Sequence, residues 1–311
     1  MAQTLKRDFI SLNDYSSGEL QNLLILAKKL KKNPRRSSAC LKGKSLALIF
    51  QKPSNRTRVS FETGIVQLGG NPIYLAPDDI SLGKREPTAD IAKTLSRYVD
   101  GIVARVFLHQ DIVDLAKYAA VPVINGLSDL SHPCQVMADM LTIQENFSVF
   151  KGLKLAYVGD GNNMTNSLMI AAAKLGMDMA VATPKGYAPN NDYVSAARAA
   201  AALTGAKITL TQSPQDAVKG AHVVYTDTWV SMGQEEETAR RLKDFAGYSV
   251  DAKLVSLADK KFIFMHCLPA HRGQEVSAEV IDGPHSVVFD EAENRLHMQK
   301  AIMISLFTAK V

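Results

Sequence analysis

Residues 45–58 read Ser-Leu-Ala-Leu-Ile-Phe-Gln-Lys-Pro-Ser-Asn-Arg-Thr-Arg, a short apolar run, a proline break and a polar pentad. The run Ser45–Phe50 predicts a buried strand, and the pentad Ser54–Arg58 opens a helical pattern over about Arg56–Leu68. A strand followed at once by a helix is the repeating unit of an α/β chain with parallel strands. The same alternation continues beyond it, with strands expected at Pro72–Tyr74, Gly101–Arg105 and Val121–Asn125. Helices are expected at Thr88–Tyr98, Asp111–Ala119 and Pro133–Phe147, the last ending in a Lys151-Gly152 turn. Upstream, Gly18–Lys32 reads as an amphipathic helix with a Ser16/Glu19 capping box.

After that turn the pattern restarts. Leu153–Val158 predicts a strand, followed by Gly159–Asn163 and a helix over Thr165–Leu175. Further strands are expected at Met179–Ala182, Lys207–Leu210, Val223–Thr226, Ile263–Met265 and Val287–Phe289. Helices over Asp192–Leu203 and Ala292–Thr308 complete the set. The fold class is therefore α/β, with two parallel-sheet domains in tandem, 1–150 and 151–290. A C-terminal helix in 291–311 is expected to pack back on the first domain. No low-complexity linker separates the halves, so an interdomain cleft is the expected active site.

Composition narrows the function classes. With 46% hydrophobic and 22% charged residues in 311, disorder and collagen-like repeats are excluded. No apolar run approaches the roughly eighteen residues needed to span a bilayer, and Arg198 interrupts the Ala-rich stretch 194–206. The segment MAQTLKRDFISL lacks a secretory apolar region and carries Asp8. With Cys40, Cys134 and Cys267 an odd set lacking zinc-ribbon spacing, a cytoplasmic protein with free thiols is expected. A net charge of +5 suits small anionic substrates, whereas nucleic-acid binding calls for a concentrated basic stripe. Lys28, Lys29, Lys31, Lys32, Arg35 and Arg36 follow a helix C-terminus, where the dipole favours cations without any ligand.

The chemistry gathers at strand ends. Ser54–Arg58 combines hydroxyls at Ser54 and Thr57, forked donors at Arg56 and Arg58, and the free N–H groups of a helix start. Arginines there oppose the helix dipole unless an anion is present, so an anion site is expected rather than a plain helix cap. Arg105 ends one strand, and Ser131–Gln135 follows another, with Pro133 placing His132 near a helix N-cap. Gly159–Asn163 is like a dinucleotide turn, but Met164 stands where the third glycine belongs. A polar small-molecule site using Asn163 therefore fits better than a nicotinamide cofactor. Asp227 suits an ammonium group, and Ser231-Met232-Gly233 suits a closing loop. His266, Cys267 and His271 are open to a metal or a nucleophilic Cys-His reading, although adjacent strand residues face opposite ways. Arg295 stands where it is open to a cleft or a surface role.

Taken in order, SNRTR, HPCQ, GDGNN, DTWVSMG, HCLPA and ENR resemble the aspartate/ornithine carbamoyltransferase family over nearly the whole chain. HCLPA and the Ser-Met-Gly loop are similar to its ornithine branch. The resemblance implies that Ser54, Asn55, Arg56, Thr57, Arg105, His132 and Gln135 bind carbamoyl phosphate, with Cys267, Leu268 and Arg295 at the junction of the two substrates. It assigns Asn163, Asp227, Ser231 and Met232 to L-ornithine, and catalysis to Arg56, Arg105, His132 and Cys267. It implies no metal and no cofactor, a homotrimer or a multiple of trimers, and Lys84 as a group to place relative to a neighbouring subunit. The usual STRTR loop reads SNRTR here, so Asn55 implies altered geometry or affinity. Other acceptors (aspartate, putrescine, an acylated ornithine), a nicotinamide dehydrogenase and a non-catalytic binding protein are the rival readings.

Overall fold

The computed structural model describes residues 6–34, 37–80, 82, 83, 85–231, 233 and 235–308. Met232, Lys84, Arg35 and Arg36 lie outside the described residues. The chain divides into two compact units, Met1–Ala138 with Asn294–Val311, and Asp139–Glu293.

The first unit runs α1 (Ser17–Lys32), β1 (Ser45–Phe50), α2 (Asn55–Gln67), β2 (Asn71–Leu75), α3 (Pro77–Ile80), α4 (Thr88–Leu95), β3 (Gly101–Arg105), α5 (His109–Tyr118), β4 (Val123–Leu127) and the start of α6 (Pro133–Phe147). Its four strands are parallel in the order β2-β1-β3-β4. Strand β1 is buried along its last five residues, as its unbroken apolar run requires. The core joins Ala47, Ile49, Ile102, Ala104 and Val123 of the sheet to Ile91 of α4 and Leu115 of α5. The α1 capping box forms as expected, with Ser16 and Glu19 satisfying each other's backbone N–H groups.

The second unit continues with β5 (Lys154–Val158), α7 (Asn163–Leu175), β6 (Asp178–Ala182), α8 (Asn191–Thr204), β7 (Ile208–Thr211), α9 (Pro214–Val218), β8 (Val223–Tyr225), α10 (Thr238–Asp244), α11 (Ala252–Val255), β9 (Ile263–Met265), α12 (Ala278–Ile281) and the start of α13 (Val288–Phe307). Its five strands are parallel in the order β7-β6-β5-β8-β9. Ala156, Val158, Ala182, Val224 and Phe264 form its core with Val218, Leu254 and Val280. The remainder of α13 belongs to the first unit, where Phe307 covers β3. A Cβ on Gly101 would lie 2.3 Å from Phe307 Cζ, so any larger residue there would push the Phe307 ring aside.

One element differs from expectation. Val287–Phe289 is not a strand. Pairing stops at a single bridge between Phe264 and Ser286, and α13 begins at Val288. Asp290 and Glu291 in its first turn complement the helix N-terminus, and Phe289 is 74% exposed.

Candidate active site

In each sheet the strand order reverses once, and an open α/β sheet leaves its crevice at the carboxyl ends of the strands flanking that reversal. In the first unit these are β1 and β3, with Phe50 opposite Arg105. The Gln51 N–H donates to the Arg105 carbonyl at 2.9 Å, which ties the loop after β1 to the end of β3. Ser54 caps α2, its hydroxyl accepting the Thr57 N–H at 3.3 Å, so Asn55 and Arg56 form the first turn. Thr57 is buried, and Arg295 Nη2 from α13 donates to its hydroxyl at 2.9 Å. A surface role for Arg295 is thereby excluded.

Arg105, His132, Gln135 and Arg295 are all buried in this unit. Residues 128–132 turn tightly, with the Ser128 N–H donating to the Ser131 carbonyl at 2.9 Å, and deliver His132 to the start of α6. Burial, followed by the charges of Arg295, Arg105 and Arg56, holds the His132 imidazole well below its usual range. His132 is therefore a neutral hydrogen-bonding group set among three guanidinium groups. Arg58 does not join them. It stacks on Tyr74 at 3.6 Å and pairs with Glu62 at 2.9 Å, which corrects the expectation that it offers a fork to an anion. Its place in the helix explains this, because Arg58 and Glu62 are neighbours at i and i+4.

In the second unit the reversal lies between β5 and β8, where Tyr157 stands opposite Tyr225. Gly161 is a glycine because residues 187–189 cross it. A Cβ there would sit 2.3 Å from the Pro189 nitrogen, and its own N–H donates to the Tyr187 carbonyl at 2.9 Å. The Gly-Asp-Gly segment thus serves close backbone packing. Asn162 caps α7 by accepting the Met164 and Thr165 N–H groups, and its Nδ2 donates to Asp227 Oδ2 at 2.8 Å. Asn163 is the first residue of α7.

Asp227, 6% exposed, follows β8. Its Oδ1 accepts the Thr228 N–H at 2.8 Å and the Cys267 thiol at 3.1 Å. Burial, then the Asp227 charge, pushes that thiol well above its ordinary range, so it remains a protonated donor and a poor nucleophile. Asp227, His266 and Cys267 offer ligand atoms within 4.8 Å of one another. They do not fit a metal, because a ligating imidazole needs a bare nitrogen and a ligating cysteine needs a thiolate. Here His266 Nδ1 accepts the Leu268 N–H at 2.8 Å, its Nε2 faces Glu275 at 3.3 Å, and the thiol proton goes to Asp227. Leu268 follows on the same loop, and Ser231, half-buried, follows Asp227 by four residues.

Beneath these groups lies a supporting layer that the sequence analysis did not mark. Arg241, 6% exposed, donates to Asp160 at 2.8 Å, to the Trp229 carbonyl at 3.0 Å and to Glu237 at 2.8 Å. It ties the Gly-Asp-Gly turn to both flanks of the Ser-Met-Gly segment. The buried Tyr225 hydroxyl donates toward Asp139 at 3.3 Å and Glu291 at 3.1 Å, and Glu291 also accepts the His266 N–H at 3.0 Å. Burial, then the charge of Asp139, drives the Glu291 carboxyl well above its normal range, so the two carboxyls do not both ionise. Arg241 was hidden because its neighbour Arg240, indistinguishable in sequence, is surface-exposed. The unpaired acid of Gly159-Asp160-Gly161 was the available signal.

Comparison with known proteins follows this division. Residues 7–145 match the profile of the aspartate/ornithine carbamoyltransferase carbamoyl-P binding domain, and residues 151–306 that of the Asp/Orn binding domain. The chain is 56% identical over 302 residues to an ornithine carbamoyltransferase of Carboxydothermus hydrogenoformans, covering 96% of this chain and 97% of that one. The ornithine carbamoyltransferase structure from Pyrococcus furiosus superposes with a TM-score of 0.95 at 52% identity, covering 98% of both chains. The anabolic enzyme structure from Campylobacter jejuni gives 0.92 at 42% identity, covering 96% of this chain and 98% of that one.

Proposed function

The chain belongs to the aspartate/ornithine carbamoyltransferase family, and from that premise we propose that it transfers the carbamoyl group of carbamoyl phosphate to the δ-amine of L-ornithine, giving L-citrulline and phosphate. The observation that carries the phosphate half is the gathering of Arg56, Arg105 and Arg295 around His132, with Arg295 bonded to Thr57 in the first turn of α2. Helix N–H groups and guanidinium forks are the chemistry that holds a phosphate dianion, with Ser54, Asn55, Thr57 and Gln135 completing the donors. The ornithine half is supported by Asp227, buried just after β8 and bonded to Asn162 and Cys267, a carboxylate suited to the α-ammonium group; Asn163, Ser231 and Met232 are assigned to the same substrate by family resemblance.

The uncharged δ-amine attacks the carbonyl carbon and forms a tetrahedral intermediate. Collapse breaks the bond to phosphate, which leaves with a proton that the amine gives up. Arg56, Arg105 and neutral His132 stabilise the negative charge on the carbonyl oxygen and the leaving phosphate by charge and by hydrogen bonding. The protonated Cys267 thiol orients Asp227, and Leu268 and Arg295 complete the binding of carbamoyl phosphate. Only the free amine is nucleophilic, so the rate rises with pH through the bound amine's pKa.

Assembly as a homotrimer, or a multiple of trimers, follows from the family resemblance, and the exposed Val59, Val66 and Ile73 offer apolar surface for self-association. A cytoplasmic location is supported by three free cysteines. Among the described residues no helix is long and apolar enough to cross a membrane.

The test is product formation from carbamoyl phosphate with L-ornithine, L-aspartate, putrescine and N-acetylornithine in parallel. Citrulline from ornithine alone is expected. Turnover of another acceptor would keep the anion site and overturn the assignment of Asp227.

A further inference from the structure

Leu268 occupies the left-handed backbone region, with φ of +59°. Side chains of its kind rarely adopt that conformation unless their surroundings impose it. Its N–H is held by a group two residues upstream. His266, fully buried at the end of β9, accepts the Leu268 N–H on Nδ1 at 2.8 Å. An imidazole nitrogen that accepts carries no proton, so the ring proton sits on Nε2, facing Glu275 Oε1 at 3.3 Å. Glu275, also fully buried, accepts the His271 N–H at 2.5 Å with the same oxygen. Its second oxygen stands 3.7 Å from His271 Nδ1. One carboxylate thus fixes the ring at the start of the loop and the backbone four residues before itself. Glu291 accepts the His266 backbone N–H at 3.0 Å, and Asp227 and Cys267 bring polar atoms within 4.8 Å of a ring nitrogen.

We propose that His266, held by Glu275 as its Nε2–H tautomer, is a positioning residue that locks the Leu268 backbone and so places Cys267 and Leu268 for substrate. It transfers no proton. Its bearing on turnover rests on the carbamoyl-transfer reading, whereas its geometry does not.

The first test is therefore independent of activity. Ring-15N NMR of the histidine-labelled full chain, with His266 identified by its loss in His266→Asn, is expected to show a bare Nδ1 and a protonated Nε2. A protonated Nδ1 overturns the proposal even if citrulline is formed. The second test is kinetic. His266→Asn returns an amide acceptor close to the Nδ1 position and is expected to stay within about ten-fold of wild type in kcat. His266→Ala is expected to lose about 10²-fold in kcat, as for a misplacement of about 1 Å, with little change in KM for carbamoyl phosphate. Glycine takes left-handed and right-handed conformations about equally, so in a Leu268→Gly background the alanine substitution is expected to cost only about two-fold. Equal losses in both backgrounds, or equal losses for asparagine and alanine, would refute the positioning role.

Discussion

His132 shows how far surroundings alter what a residue type suggests. In sequence it is a histidine before a proline, open to acid, base or cationic roles. Burial and three neighbouring guanidinium charges hold its pKa well below the usual range, so under the proposed function it is expected to donate a hydrogen bond while Arg56 and Arg105 supply the charge. Arg56→Ala is accordingly expected to lower kcat/KM for carbamoyl phosphate by about 10²–10³, the usual loss for a group that stabilises developing charge. Initial-rate kinetics against carbamoyl phosphate checks this, and near-normal values would remove Arg56 from the site. Cys267 has the opposite bias, its thiol raised by burial and by Asp227. Cys267→Ser keeps an O–H donor to Asp227, so activity is expected to fall by about ten-fold or less, in line with one hydrogen bond. Complete loss, with a carbamoyl adduct trapped on the wild-type thiol, would establish covalent catalysis instead. At this scale the strand-end residues Arg105 and Asp227 could be read from pattern, because a strand end in a parallel sheet faces one place. Arg58 could not, because its stacking partner Tyr74 lies on a different element.

Helix α13 begins in a stretch whose sequence suggests a strand. Val-Val-Phe looks like a buried strand, yet the Glu291 N–H already donates to the Val287 carbonyl at 2.9 Å as the helix begins. That turn buries Glu291 against Asp139 and Tyr225, a contact between residues 152 positions apart in sequence for the two acids that no local pattern encodes. The carboxyl holds its proton more tightly in the folded state than in the unfolded one. The folded protein therefore binds more protons above the ordinary glutamate pKa of about 4.3, and stability falls as pH rises from there toward the raised folded value. Glu291→Gln keeps an acceptor for the His266 N–H and removes the titration. Its unfolding free energy, from urea titrations at about pH 5 and 8, is expected to change less between the two than that of wild type. An identical pH slope in the two proteins would show that the buried pair is not the source.

For the molecule as a whole, one net charge conceals two opposite sites. The formal excess of +5 indicated only a mild preference for anions. Arg56, Arg105 and Arg295 lie around His132 in the first unit, whereas Asp227 lies in the second, where Asp160 is already paired with Arg241 and Glu291 holds its proton beside Asp139. The periodicity of the sequence made both parallel sheets recognisable, and the reversal of strand order then selects the crevice in each. Which side chains form the supporting layer was not recognisable, because that depends on contacts such as Arg241 with Asp160, 81 residues apart. This separation of charge predicts separable ligand linkage. Inorganic phosphate, a product of the reaction, should raise the thermal unfolding midpoint of the wild type, since a ligand at 100 times its Kd stabilises by about 2.7 kcal/mol. Arg105→Ala should abolish that rise. Asp227→Asn should retain it while losing ornithine turnover, because the proposed function sets the ornithine ammonium group on the carboxylate it neutralises. If Asp227→Asn also lost the phosphate response, the anion would not be held by the first unit's arginines alone, and the assignment of one substrate to each unit would fail.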